Sequence, residues 1–333
     1  MKLKKHLRTT LLLALGGLTL AACGSDKEGA PETVRQPVNL KAEIFTINAG
    51  EAAIWKGGQA VGIYMLKENT NEVVDTYANV KYVADNRGTT GYLVPADNQP
   101  MYYPADGSNV DFKVYYPYNP EVEQTLRAVE AYTEVRVDEH TAPDGFLYSR
   151  NAKGSNANTE ASTVQIKSML SQVSIDFHCT LDGASKLEAH IKNIATRARF
   201  DLMQGMFVEY TTEEDAVLPM TGTKNTVGGN TVFSMSSVIL SGNLPEQTLL
   251  EVVVKDSKDK ILKEYLPIAL TKVLEVEQKE NQVEENTQYN IDAQLTERED
   301  ITTQVSSTAS ICIMNWNGSG DDADINVARP TGD

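Results

Sequence analysis

The stretch "QVSIDFHC", residues 172–179, decides the fold. Its apolar residues fall on every second position: Val173, Ile175, Phe177 and Cys179. Ser174, Asp176 and His178 occupy the positions between them. Successive side chains of a strand point to opposite faces, so a period of two makes one face apolar and the other polar. A helix of 3.6 residues per turn would scatter both sets around its axis. The stretch predicts a half-buried β-strand with Val173, Ile175, Phe177 and Cys179 inward and His178 in solvent.

The same period recurs on both sides of this strand. Val38, Leu40 and Ala42 alternate with Asn39 and Lys41. In "GQAVGIYMLK" (58–67) Val61, Ile63 and Met65 point one way, and Gly62, Tyr64 and Leu66 the other. "DFKVYYPY" places Phe112, Val114 and Tyr116 on one face, and "LLEVVVKD", "EYLPIAL", "QYNIDAQL" and "SICIMNW" continue the theme. Turn residues separate the runs: Gly57-Gly58, Asn86-Arg87-Gly88, Asp106-Gly107, Asp182-Gly183, Gly228-Gly229-Asn230 and Ser241-Gly242-Asn243. Pro117 and Pro267 lie inside strand-like runs, which marks those runs as edges or bulges. The one helical candidate starts at Asn119-Pro120, with Val122, Leu126 and Val129 on a common face. The fold class is all-β.

Length and composition set the organisation. The chain has 333 residues, more than one comfortable core, so two domains are expected. "RNAKGSNANTEAST" (150–163) is poor in apolar residues and rich in Gly, Ser, Asn and Thr. It marks a junction between an N-terminal domain, 37–160, and a C-terminal one, 161–333. The acidic "LEVEQKENQVEENTQ" (274–288) reads as a long hairpin loop or polar edge inside the second domain.

The start of the chain is an address. Lys2, Lys4, Lys5 and Arg8 precede the apolar run Leu11–Leu20, which is too short to span a bilayer needing ~20 apolar residues. Leu20-Ala21-Ala22-Cys23 matches the bacterial lipobox, in which cleavage falls before the cysteine and its thiol carries lipid. Residues 1–22 are therefore expected to be a signal peptide, and 23–36 a flexible lipidated tether. Acyl chains on Cys23, at ~0.8 kcal/mol per buried methylene, would anchor it firmly in the outer membrane, facing the cell surface.

The net charge is −16, and loss of the four basic residues of the signal takes it to −20. Such a surface repels phosphate backbones, so no nucleic-acid partner is expected. Of three cysteines, Cys23 belongs to the lipobox; Cys179 and Cys312 either pair or, for Cys179, remain as a buried thiol.

Catalytic constellations are not apparent. His140, His178 and His190 lack metal-site spacing, no G-x-S-x-G elbow occurs, and Gly57, Gly58 and Gly62 lack the Gly-Lys-Ser/Thr of a phosphate loop. No enzyme, cofactor or metal is expected. Asp321, Asp322 and Asp324 form an acidic cluster suited to calcium oxygens but without the EF-hand pattern, and a solvated loop is the favoured reading. Tyr64, Tyr82, Tyr92, Tyr102, Tyr103, Tyr115, Tyr116 and Tyr118 crowd the first domain. Exposed, they could stack on sugars or a protein partner; otherwise they are ordinary strand residues.

Several segments together resemble the fimbrillins, the Mfa-like surface lipoproteins of Gram-negative anaerobes. "IWKGGQAVGIYMLK", "FKVYYPYNP", "APDGFLYSRNAKG", "MLSQVSIDFHCTL", "IKNIATRARFDLMQG" and "ASICIMNWNGS" are similar to family landmarks and follow the same order after a lipobox. The resemblance implies two tandem transthyretin-like β-sandwich domains and a structural or adhesive subunit of cell-surface fimbriae. The partners it implies are other fimbrial subunits and a host receptor or glycan. It further implies polymerisation by strand donation, once an N-terminal strand is cut away after an arginine. Here that strand would be "PVNLKAEIFTI" (37–47). The C-terminal strand Ser310–Trp316 would be a second working part. No arginine lies between residues 36 and 86. The processing candidates are Arg35, which precedes the strand, and Lys56, which follows it. The rival expectation is a non-polymerising surface lipoprotein that binds glycans or host proteins.

Overall fold

The computed structural model describes residues 35–310, apart from 46–54, 86, 89–90, 123–129, 138–144, 160, 214–215 and 277–278. From the N-terminal side the strands are β1 (Leu40–Phe45), β2 (Trp55–Lys56), β3 (Ala60–Lys67), β4 (Val80–Ala84), β5 (Arg87–Gly88), β6 (Gly91–Pro95), β7 (Val110–Tyr116), β8 (Tyr132–Arg136), β9 (Leu147–Ser155) and β10 (Ser162–Ser168). They continue as β11 (Leu170–Cys179), β12 (Lys186–Lys192), β13 (Arg197–Asp201), β14 (Met206–Thr211), β15 (Val217–Pro219), β16 (Thr221–Val227), β17 (Asn230–Leu240) and β18 (Gly242–Asn243). The last are β19 (Leu249–Lys255), β20 (Ile261–Glu264), β21 (Ile268–Ala269), β22 (Gln282–Val283), β23 (Thr287–Leu295) and β24 (Thr302–Ser310). Among the described residues a single α-helical turn, α1 (Leu270–Val273), interrupts them.

The first core is a closed barrel in the order β1-β10-β9-β7-β3-β4-β6. The expectation here was a β-sandwich domain, and the sheet closes on itself. The difference comes from β1, which bonds to β10 on one edge and β6 on the other and leaves no free edge between them. Inside lie Leu40, Val61, Ile63, Met65, Phe112, Val114, Val164 and Ile166, all essentially without solvent contact. Each such aliphatic side chain stabilises the fold by roughly 1.5–3 kcal/mol on burial.

The stretch expected as a junction, 150–163, holds the end of β9, the turn after it and the start of β10, and both strands belong to the barrel. Its polar composition is that of a hairpin connection. Pro117 does not make its strand an edge, although β7 carries register shifts against β9 between Val110 and Phe112 and between Phe112 and Val114. β7 pairs with both β3 and β9 and ends at Tyr116, and a cis Tyr116–Pro117 peptide follows it. Pro267 behaves as expected: it separates β20 from β21, both of which pair with β19.

The second core lies between the sheet β16-β17-β11-β23-β24 and the sheet β15-β12-β19-β20. β11 is central in the first of these, antiparallel to β17 and parallel to β23. Val173, Ile175, Phe177 and Cys179 are all buried in this core, as their period predicts. Gly228 and Gly229 form the two-residue turn between β16 and β17, both at positive φ, the backbone state that favours glycine in a tight hairpin.

A third cluster sits on the outer face of the barrel. Tyr64 and Leu66 of β3 and Tyr115 of β7 face away from the barrel interior, yet they are fully buried. They pack with Phe146, Tyr148, Phe200 and Phe207, whose rings meet at centroid distances of 4.7 Å for Phe146–Phe200 and 5.1 Å for both Tyr148–Phe200 and Phe200–Phe207. Below them runs the sheet β14-β13-β8, in which β8 pairs with a strand more than sixty residues further along the chain. β3 is thus buried on both faces, which its alternation alone does not reveal.

Candidate functional site: the seam closed by the first strand

β1 is held by neighbours of opposite sense. It runs parallel to β10, from Leu40 opposite Ser162 to Phe45 opposite Lys167. On its other edge it is antiparallel to β6, with Leu40 opposite Leu93, Lys41 opposite Tyr92 and Ala42 opposite Gly91. The alternation of residues 38–42 sends Val38, Leu40 and Ala42 into the barrel. Lys41 lies on the outside, with Nζ 5.7 Å from the centre of the Tyr92 ring. Gln165 Nε2 donates to Glu43 Oε2 at 3.4 Å, beside the same seam.

The lead-in to β1 is docked as well. Tyr103 N donates to Gln36 O at 3.0 Å, Pro37 bridges to Tyr102, and Val38 N donates to Met101 O at 2.9 Å. Met101 is itself fixed, because its N–H donates to Tyr82 Oη at 2.9 Å inside the barrel. Tyr103 Oη lies 3.2 Å from Ser162 Oγ, which donates to Ser155 Oγ at 2.6 Å. Burial pushes the Tyr82 and Tyr103 hydroxyls above the usual phenol range, partly offset by these hydrogen bonds. Arg35 Nη1 donates to Asp75 Oδ2 at 2.7 Å on the surface, and that bond holds its guanidinium more firmly protonated.

Beside the seam stands Trp55, fully buried in the barrel core. It meets Tyr116 edge to face at 6.2 Å. Gly91 carries no side chain where the indole lies: a Cβ there would come 2.5 Å from Trp55 Cδ1 and 2.7 Å from Nε1. Glycine is required at this position by close approach, not by its backbone angles.

Taken together, β1 satisfies two strand edges and fills one apolar strip of the barrel. Its departure would leave unpaired N–H and C=O groups on β6 and β10 beside a floor that includes Leu93, Val164 and Ile166. Such an edge is completed by another extended strand.

The sequence candidates land in different places. Arg35 is exposed, five residues before β1. Lys56 lies in β2, opposite Arg87 of β5. Cys23, His140, Leu126, Val129, Cys312 and the cluster Asp321, Asp322 and Asp324 lie outside the described residues. So does most of Ser310–Trp316; the strand pairing with β23 starts earlier, at Thr302. Cys179 is a buried free thiol, and burial pushes its pKa up. His178 is half-exposed, as its outward position predicts, and its Nε2 lies 3.0 Å from Asp292 Oδ1 on β23. Of the eight tyrosines, Tyr64, Tyr82, Tyr103 and Tyr115 are buried, and Tyr102, Tyr116 and Tyr118 are half-buried. Tyr92, 43% exposed, lies beside Lys41. These are mainly packing residues.

Sequence reasoning missed β10 and its pairing with β1. The strand "STVQIKS" carries the same alternation, Val164 and Ile166 against Gln165 and Lys167, and could have been found by it. Nothing in the period reveals that it runs parallel to β1 from more than a hundred residues away.

The described chain is built from β-strands, and the first of them closes a barrel. It belongs to the fimbrillin-like family, whose profile matches residues 46–316, and is in class a fimbrial or adhesin subunit. It is 28% identical over 212 residues to a candidate fimbrium subunit, Fim1C, of Bacteroides uniformis, covering 61% of this chain and 67% of that one. A crystal structure of a candidate cell adhesion protein from Bacteroides uniformis shares the fold at a TM-score of 0.60 and 18% identity, covering 86% of this chain and 100% of that chain. A second, from Bacteroides ovatus, gives a TM-score of 0.59 at 18% identity, covering 82% and 97%.

Proposed function

We propose that this chain is a non-catalytic surface subunit, exported as a lipoprotein through Cys23, that joins neighbouring fimbrial subunits by exchange of β1. On this reading its two cores are tandem transthyretin-like domains, with the seam between them drawn after β10 because Ser162–Ser168 completes the barrel. The supporting observation is the position of β1. It is the first described strand, it fills both edges of the barrel's seam, and one cut after it would free it without interrupting another barrel strand.

The position of the cut is constrained. Cleavage after Arg35 would leave β1 in place and discard the lipid. Cleavage after Lys56 would fall within the β2–β5 pairing, next to the buried Trp55. Residues 46–54 contain neither lysine nor arginine, so release there needs a protease of other specificity. The absence of arginine between 36 and 86 favours a second reading, in which the chain keeps lipid and strand and serves as an anchor or accessory subunit.

N-terminal sequencing of the surface-held protein tests both. A new terminus within 46–54 supports exchange. A blocked, acylated Cys23, labelled by a fatty acid and lost in Cys23→Ala, supports retention. Unlabelled protein free in the periplasm overturns the surface assignment.

A further inference from the structure

We infer that the β1 seam is gated by residue size at the level of Ala42, so that it accepts only a strand with a small side chain there. This rests on strand exchange at the seam as proposed above. Ala42 is opposite Gly91 on β6 and beside Val164 on β10. Antiparallel partners carry their side chains on the same face, ~4.5–5.5 Å apart. Across this row the inward groups are therefore a hydrogen, a methyl and an isopropyl.

Trp55 stands against the Gly91 end of this row. A Cβ placed on Gly91 already lies 2.5 Å from its indole, well inside contact distance. Ala42 and Trp55 are both without solvent exposure in the same core cluster. A longer side chain at 42 would extend toward the Gly91 side of the row, which the indole already fills. Two residues before it the seam is wider: Leu40 sits buried opposite Leu93. The incoming strand is thus specified as apolar at the Val38 and Leu40 positions and Ala, Ser or Gly at the Ala42 position. Trp55, which belongs to neither seam strand, sets the limit.

The test uses the full chain with a protease recognition sequence placed within residues 46–54. After nicking, labelled peptides of sequence PVNLKAEIF compete for the seam, and exchange is read by fluorescence anisotropy. The parent peptide and its Ala42→Ser form should enter with affinities within ~3-fold, while the Ala42→Leu form should be weaker by ~10-fold or more, the scale set by overpacking a filled core. In a Trp55→Ala chain the penalty on the Ala42→Leu peptide should shrink. If that chain does not fold, Trp55→Leu takes its place.

Equal binding of the Ala42→Leu and parent peptides overturns the size gate and leaves strand exchange standing. A penalty unchanged by shortening Trp55 overturns the role given to the indole. Failure of every peptide, the parent included, overturns strand exchange itself and the gate with it.

Discussion

Both cores contain a strand with a parallel neighbour on one edge and an antiparallel one on the other. In the second core it is β11, between β23 and β17; in the barrel it is β1, between β10 and β6. The backbone arrangement is the same, but the side chains are not. β11 presents Val173, Ile175, Phe177 and Cys179 to its core along ten residues. β1 spans six residues and, among the described side chains of the strand and its lead-in, presents Val38, Leu40 and Ala42. β11 follows β10 after one residue, so it cannot leave without disturbing the barrel. β1 comes before all the other described strands. Hydrogen-bond pattern alone therefore does not decide whether a strand is fixed; buried volume and chain continuity do.

The largest expected effect comes from pH, because the two regions carry different loads of buried phenol. Tyr64, Tyr82, Tyr103 and Tyr115 are buried around the barrel, against Tyr265 and Tyr289 in the second core. Burial raises the pKa of each above the ordinary value of 10.0. The unfolded chain then releases these protons first, so the stability they carry is complete below pH 10 and falls as pH rises toward the raised native values. The barrel should unfold first on alkaline titration. In a Trp316→Phe chain, Trp55 fluorescence should change before tyrosine signals from the second core. Simultaneous loss would mean the aromatic cluster on the barrel's outer face welds the two cores into one unit.

Next come core truncations. Phe177→Ala should lower the unfolding free energy by ~3–5 kcal/mol, and Leu40→Ala by less, toward the low end of the ~2–5 kcal/mol range for such truncations. Urea titration gives both. An equal loss would make β1 as integral as β11 and break the contrast.

This contrast was partly legible in the sequence. The inward rows of both strands follow from alternation, and the turns at Gly57-Gly58 and Gly228-Gly229 follow from glycine. Alternation fails at β3, where Val61, Ile63 and Met65 enter the barrel and Tyr64 and Leu66 meet a second apolar surface. A two-fold period separates faces but does not name what covers each. The size gate was out of reach for the same reason: Ala42, Gly91 and Trp55 are unremarkable until register sets them together. The closing of the barrel depends on β1 meeting β10 across more than a hundred residues that hold β2 to β9, which no local signal encodes.

Tyr82→Phe probes the seam without touching β1. Its hydroxyl accepts the Met101 N–H, and Met101 O in turn accepts from Val38 N. Removing it leaves a buried N–H unpaired, for a loss of ~1–3 kcal/mol. Hydrogen exchange should rise at Met101 and Val38 and stay unchanged in β11. Equal acceleration in both strands would show that the seam has no independent opening.

Arg35→Ala should do least to stability. Its bond to Asp75 is made between half-exposed side chains, where water and salt screen the attraction. No shift in thermal midpoint is expected at physiological ionic strength, and any shift at low salt should vanish as salt is added. The change should instead appear in access. Residues 36–38 remain held by Tyr103, Tyr102 and Met101 whether or not Arg35 is paired. Limited trypsin digestion should therefore cut the parent chain after Arg35 only slowly, and Arg35→Ala should remove that cut while leaving β1 protected. If Arg35→Ala also hastens loss of β1, the ion pair is part of what retains the strand, and the separation drawn between lead-in and seam fails.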